Sequence, residues 1–493
     1  MSEIQVQRQI LDLRHQVERI STWDGAGAAG GKQYATFVVA ANDSTADGKA
    51  SADYVCDGTA DETEINAALS VATTSGYRRV LLLEGTFNLT AGLTVEADDM
   101  LEGQGFGSIL KLVSGAPTTT TVITLNDYCK VHNLKVNGNS LSGTKNGIVA
   151  TSKTGVEISG VWVTLFDDNG IYLDECSQSR IVGNYATSNS ASGIILDGGY
   201  ANTVVGNTTY FNVFGIFLGD NTTGEQNATI SGNACYSNSY DIYISVDCRY
   251  NTITGNTCRG DVGVLGDFGI FLESSEYNII SDNIVTGHSA DGIFLTFANH
   301  NRITDNIIVG NSWSTSTDTG VNNAAGINLD ESDSNYISGN LIRKTLDGET
   351  YIQQYSIWIN DSSCNDNVVL SNDIRNGGNT GFTDVGTDTV YRNIPTQSDL
   401  TIAAGVVTVS GIGYYKLVPE TGTTDDLDTI SGAHHGEEIT LAVRDSGDTI
   451  TIKDGTGNFA LAGDFAMDTQ TDTMQLIFDA THGWLETSRS NNA

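Results

Sequence analysis

The chain has 493 residues and carries 60 Asp plus Glu against 24 Lys plus Arg, a formal net charge of −36. Such a balance excludes a nucleic-acid partner, because phosphate backbones are bound through clustered Lys and Arg. No apolar run approaches the ~20 residues that span a bilayer, no signal-like apolar stretch follows Met1, and the seven cysteines lack CxxC or metal-type spacing, so no export signal, membrane insertion, metal or cofactor is expected.

Taken in order, residues 4–20 place Val6, Ile10, Leu13, Val17 and Ile20 on a heptad seam. So short a seam is marginal alone and needs further contacts between copies. It predicts a coiled-coil segment at 1–22 and a parallel homotrimer. A Gly/Ala-rich joint at 25–31 leads to a strand at 36–40. Over 52–72, Thr59 with Glu62 fits a capping box, and Ile65, Ala68, Leu69 and Ala72 form one apolar stripe. A short helix there, with a strand over 80–89, would plug the end of the repeats that follow. Residues 23–110 are therefore an entry and capping region.

From Gly170 a short phrase recurs: GIYLD at 170, GIILD at 193, GIFLG at 215, DIYIS at 241, GIFLE at 269, GIFLT at 292, GINLD at 326 and SIWIN at 356. Each is followed by an asparagine, at 184, 207, 233, 256, 283, 306, 340 and 372. Most repeats are about 22 to 28 residues long, and self-similarity at such a period marks a solenoid. Apolar alternation of period two makes its rungs strands. The fold class is all-β, a right-handed parallel β-helix over 111–394. The Ile column (171, 194, 216, 242, 270, 293, 327, 357) and the Leu column (Leu173 to Ile359) are its core. The asparagines are expected at inward turns, bonded to the rungs above and below. Cys235 and Cys258 occupy equivalent places beside Val285 and Ile308 and should be buried free thiols.

Beyond Pro395, one of only three prolines, residues 395–493 alternate apolar and polar in short runs such as EITLAV and DTITIKDG, predicting a small antiparallel β-domain.

The run DGTADETEINAAL, then LLLEGTFNL and LEGQGFGSIL, resembles the entry of the pectate-lyase-like β-helix superfamily, which includes phage tail spikes. The Gly-Ile-x-Leu phrases are similar to its NosD-type repeats. DDLDTISG, KDGTGNFALAGDF and WLETSRSNN resemble a C-terminal module of viral tail fibres and spikes. The resemblance implies a virion tail protein: a homotrimer that attaches to other tail or baseplate proteins through its N-terminus and recognises a host cell-surface polysaccharide. A free polysaccharide lyase, epimerase or hydrolase of the same fold, and a purely structural virion component, are the alternatives. For pectate-lyase chemistry, no arginine here matches the family's catalytic one.

Spacing between the ladder asparagine and the next phrase lengthens after Asn256, Asn306 and Asn340, always in the same turn, and loops grouped on one edge favour a binding face. These insertions carry Asp261, Asp267, Trp313, Asp318, Asp347, Glu349 and Tyr351. One outward column of the Gly-Ile strands reads Tyr172, Ile195, Phe217, Tyr243, Phe271, Phe294, Asn328, Trp358. Sugars stack on such a stripe, and so do neighbouring subunits. The candidate glycan contacts are Tyr243, Phe271, Phe294, Trp313, Trp358 and Glu349. The second column holds Asp174, Asp197, Glu273 and Asp330. Glycosidases need two carboxyl groups flanking the scissile bond, about 5 Å apart for retention and about 6.5–9.5 Å for inversion. Asp174 and Asp197, one rung apart, suit the first; Glu273 and Asp330, two rungs apart, lie near the upper end of the second and are the leading catalytic pair.

Overall fold

The computed structural model describes residues 36–492 apart from 77, 220–223, 261–266, 312–324, 345–352, 376, 378–379, 395–398 and 410–411. The coiled coil expected at 1–22 lies outside the described residues. The chain divides into two units, Met1–Thr36 and Phe37–Ala493, and among the described residues every strand and helix belongs to the second.

The molecule is a parallel β-solenoid. A typical rung has one longer strand, Ile171–Ser177, then two short ones, Arg180–Val182 and Tyr185–Thr187. The longer strands stack as a 13-stranded sheet and the short ones as a 26-stranded array. Register is fixed by the phrases themselves: Ile171 pairs with Ile194, Ile194 with Ile216, Ile216 with Ile242, and so on to Ile327 with Ile357. Both apolar columns are fully buried in one continuous core. A one-residue slip would turn them outward, which is why the register holds.

Three asparagine ladders line the turns, where the phrases had announced one. In the first, each backbone N–H and each Nδ2 donates to the next rung's Oδ1, as from Asn184 to Asn207 and from Asn207 to Asn233, at 2.9–3.0 Å. Asn251, Asn278, Asn301, Asn335 and Asn367 form a second. Asn189, Asn212 and Asn238 form a third. The tight bend before each rung of the first ladder needs a left-handed residue. Gly206 supplies it at φ 66°, and where the phrase reads SDN instead of SGN, Asp282 takes φ 57°, as the short polar side chain allows. Cys235 and Cys258 pair in register, and all seven cysteines are buried and unbridged.

At the entry, the helix Glu62–Ser75 buries Ile65, Ala68, Leu69 and Ala72 in the core beside Val80 and Phe87, as the stripe predicts. The capping box does not form. The N-cap is Asp61, whose carboxylate accepts from the N–H of Gly58 (2.8 Å) and Asn88 (2.7 Å), while Glu62 accepts from Thr90. Both acids tie the helix start to the Gly85–Leu89 strand instead of closing the helix end.

The C-terminal sheets are mixed, not purely antiparallel. Gly413–Val418 pairs in parallel with Leu400–Thr401 and Glu438–Val443, and Thr424–Leu427 in parallel with Thr449–Ile452, before Thr473–Asp479 and Gly483–Ser490 reverse the direction. Period-two alternation fixes which face is buried but not the sense of pairing. A separate core forms around Tyr415, Met474 and Trp484. His434, pushed below its ordinary pKa by burial, packs on Tyr391 (5.2 Å) and Phe382 (5.7 Å) of the last rung. Among the described residues no helix is long and apolar enough to cross a membrane.

Candidate functional site

The outer face of the longer strands carries the chemistry. Register aligns Phe217, Tyr243, Phe271 and Phe294 in one column, as the sequence indicates. A second column, Phe214, Tyr240 and Phe268, stands beside it. Sequence reasoning missed that column, although its residues immediately precede the repeated Gly-Ile or Asp-Ile phrases. Together the seven partly buried rings make one platform. Tyr240 and Phe268 stack at 5.3 Å within 5° of parallel, Tyr243 and Phe271 at 5.0 Å, and Phe271 meets Phe294 edge-on at 5.1 Å. Asn328, buried and bonded to Asp291 and Asn360, interrupts the column. Trp358, stacked on Tyr355 at 4.8 Å, resumes it. Farther round, Tyr250, Tyr277 and His300 form an exposed stack with centroids 5.4 and 4.9 Å apart.

The carboxylates flank this platform. Glu273 accepts a hydrogen bond from the Tyr243 hydroxyl, whose pKa is pushed up by burial and then by that carboxylate. Glu273 pairs with Thr296 and Thr296 with Asp330, so the two acids stand two rungs, roughly 9–10 Å, apart along the stack. Burial raises the Asp330 pKa, the negative charge of Asp361 adds to this, and a Thr296 hydrogen bond opposes it. Asp361, which sequence reasoning also missed, is held below its ordinary value by Ser363. Asp174 and Asp197 are register partners, and Tyr172 donates to Asp197 at 3.1 Å. Gly219 follows in that column, and a Cβ there would come within 2.4 Å of the Asp197 carboxylate.

Trp313 and Glu349 lie outside the described residues, as do Asp261, Asp318, Asp347 and Tyr351. Asp267 is fully buried and accepts from the Ser289 N–H at 2.6 Å, so it is no surface contact. Near it, Asp241 replaces the repeat glycine and meets His288 Nε2 at 3.0 Å, with Asn311 on the other ring nitrogen at 3.0 Å. Burial alone would depress His288, but the Asp241 carboxylate carries it above its ordinary value. This pair fills the gap in the third asparagine ladder and is structural.

This fold and face define a parallel β-helix with a ring-lined, acid-flanked surface. Residues 109–264, 202–324 and 260–411 match the family described as periplasmic copper-binding protein (NosD), more than half the chain in all. The chain belongs to the NosD family. No curated protein matches the sequence. Among solved structures, the A-module of mannuronan C-5 epimerase AlgE6 from Azotobacter vinelandii is 18% identical with a TM-score of 0.58, covering 68% of this chain and 96% of that one. The Dettilon tailspike protein is 18% identical with a TM-score of 0.55, covering 66% of each chain. A DFA-IIIase from Arthrobacter chlorophenolicus is 12% identical with a TM-score of 0.53, covering 68% and 96%. At these identities the likeness is one of fold.

The family description implies copper, and the described residues fit it poorly. Among them one trio of ligand-type side chains converges, Cys56, Asp61 and Glu64, within 4.8 Å of one another. Both Asp61 oxygens are already bonded to backbone N–H groups, and burial pushes the Cys56 thiol far up, away from the thiolate a soft metal needs.

Proposed function

We propose that this protein is a virion tail spike, a homotrimeric receptor-binding protein that holds a host cell-surface glycan along the aromatic platform and cleaves it at Glu273 and Asp330. The observation that carries the reading is the seven-ring surface from Phe214 to Phe294 bordered by those acids. Sugar rings present apolar C–H faces that stack on aromatic rings, and a long glycan could follow the rungs. Asp330, whose pKa burial raises, is the acid that gives its proton to the glycosidic oxygen as the bond breaks. Glu273, oriented by Tyr243, takes a proton from the water whose oxygen bonds to the anomeric carbon from the opposite side. The two-rung separation suits such an inverting displacement better than a covalent one.

Self-association is supported by the short-strand face. From Arg180–Val182 to Leu341–Arg343 its outward strand positions include Arg180, Arg259, Arg302 and Arg343, with Ile279, Ile284 and Ile307 about 40% exposed, and no Asp or Glu. Acids enter there only in the turns, at Asp282 and Asp305. On a chain of charge −36, this is the face where another copy meets least repulsion. Sedimentation of the full chain should give a trimer; a monomer would remove the spike reading.

Incubation with envelope polysaccharide from candidate hosts, following chain length and reducing ends, tests the chemistry. Wild type should shorten the polymer, and Glu273→Gln and Asp330→Asn should each lose about 100-fold or more. Undiminished cleavage by both variants would refute the assignment. Binding without cleavage by wild type would leave a receptor binder and make these acids ordinary surface groups.

A further inference from the structure

We infer that the glycan held on this face carries no acidic sugars. The inference rests on the reading of the face as a glycan site and deepens it. From Tyr172 to Asn360 the outward positions of the described longer strands hold Asp174, Asp197, Glu273 and Asp330 beside the rings, and no Lys or Arg. Arg180, Arg259 and Arg302 belong to the short strands, away from this face, and other bases near the longer strands are engaged. Arg249, in the turn after Tyr240–Ile244, lies 2.8 Å from Asp247 and 3.7 Å from Glu276, and buried Lys145 donates to the Pro117 carbonyl. Arg343 is paired with Asp373 at 2.6 Å.

A uronate polymer presents one carboxylate on every residue, so stacking it here would set like charges side by side along several rungs. Each such unpaired like-charge contact weakens binding, and the losses accumulate along a polymer. Neutral hexoses meet no such penalty. An amino sugar gains twice, from the carboxylates and from the faces of Tyr240, Tyr243 and Phe271. The face therefore selects by charge before it selects by stereochemistry. A lyase or epimerase would instead need a cation beside its acids to hold the uronate, and the outward positions of the described longer strands offer none.

The test separates charge from ring shape. Polymannuronate, polygalacturonate and polyglucuronate are each compared with their carboxyl-reduced, neutral counterparts, alongside a glucosamine polymer and the neutral envelope glycans, by titration calorimetry at low and high salt. At about 20 mM salt, polymers without carboxylates should supply every tight binder, and any reduced polymer that binds should do so at least about 10-fold more tightly than its parent. That gap should narrow towards 0.5 M salt as the repulsion is screened. A polyuronate that binds more tightly than its reduced form, and tighter still as salt falls, would overturn the inference while leaving a glycan site in place. Binding of no polymer at all would overturn the glycan reading and this inference with it.

Discussion

Asn256→Ala is expected to destabilise the solenoid by on the order of 4 kcal/mol, because the loss is of a buried junction and not of one bond. The Asn256 Oδ1 accepts from Asn233 N–H and Asn233 Nδ2, both at 2.9 Å, while its Nδ2 donates to the Ile230 carbonyl (2.9 Å) and to Asn283 Oδ1 (3.0 Å). Alanine leaves those partners unpaired in a space that water does not reach, and each orphaned group costs about 1–3 kcal/mol. Rungs touch only their neighbours, so the damage should open the chain around rung 256 before the ends melt. Thermal melting followed by circular dichroism, with limited proteolysis to locate the opening, should show this against Thr252→Ala on the same rung's outer surface. Equal melting temperatures for the two variants would mean that the ladder is ornamental.

Heating the protein across pH 5 to 8.5 should reveal the second large effect, a loss of stability as the solution becomes alkaline. Glu225 stands in the second ladder, fully buried and bonded through both oxygens to Asn202 Nδ2, and burial pushes its pKa up to about 8. Asp291 and Glu437, also buried, are pushed up to about 7. A raised folded-state pKa means that the native state holds a proton which the unfolded chain gives up. Its stabilising effect is complete below the unfolded pKa, near 4.5, and disappears as pH rises through 7 and 8. Asp373, held well below the usual range by Arg375 and Arg343 against partial burial, acts oppositely and only in strong acid. The optimum therefore falls near pH 5. Glu225→Gln keeps an acceptor for Asn202 without the ionisation, and should recover on the order of 3 kcal/mol at pH 8.5 while changing little at pH 5. An unchanged slope in the variant would show that Glu225 is not the group responsible.

The architecture was legible because its determinants repeat. A column such as Ile171 to Ile357 needs only period-two geometry and rung stacking to be placed, and the structure places it there. The ladder of Asn184 to Asn372 follows the same logic. What escaped was whatever depends on contacts across rungs of unequal length. His288 and Asp241 lie 47 residues apart, and no local pattern joins them. Asp361 affects Asp330 from beyond its own strand, and nothing in the Ser-Ser-Cys run around it signals a carboxylate of interest. The parallel pairing at 400–452 was hidden because alternation reads alike in both senses. At the site, the outward columns were predicted residue by residue, but only the register showed that Phe214, Tyr240 and Phe268 double the width of the platform.

The seven buried thiols have a use beyond packing. Cys235 and Cys258 face each other on adjacent rungs, and Cys56, Cys129, Cys176, Cys248 and Cys364 are spread from the entry helix to the last rungs, all sealed in the core. Burial raises the pKa of Cys129 to about 12 and that of Cys176 to about 11, so an alkylating reagent finds almost no thiolate in the native chain. Each cysteine therefore becomes a clock that starts only when its own rung opens. Labelled peptides recovered over time would time-stamp the unravelling of the solenoid, turn by turn, without any probe being added to the sequence.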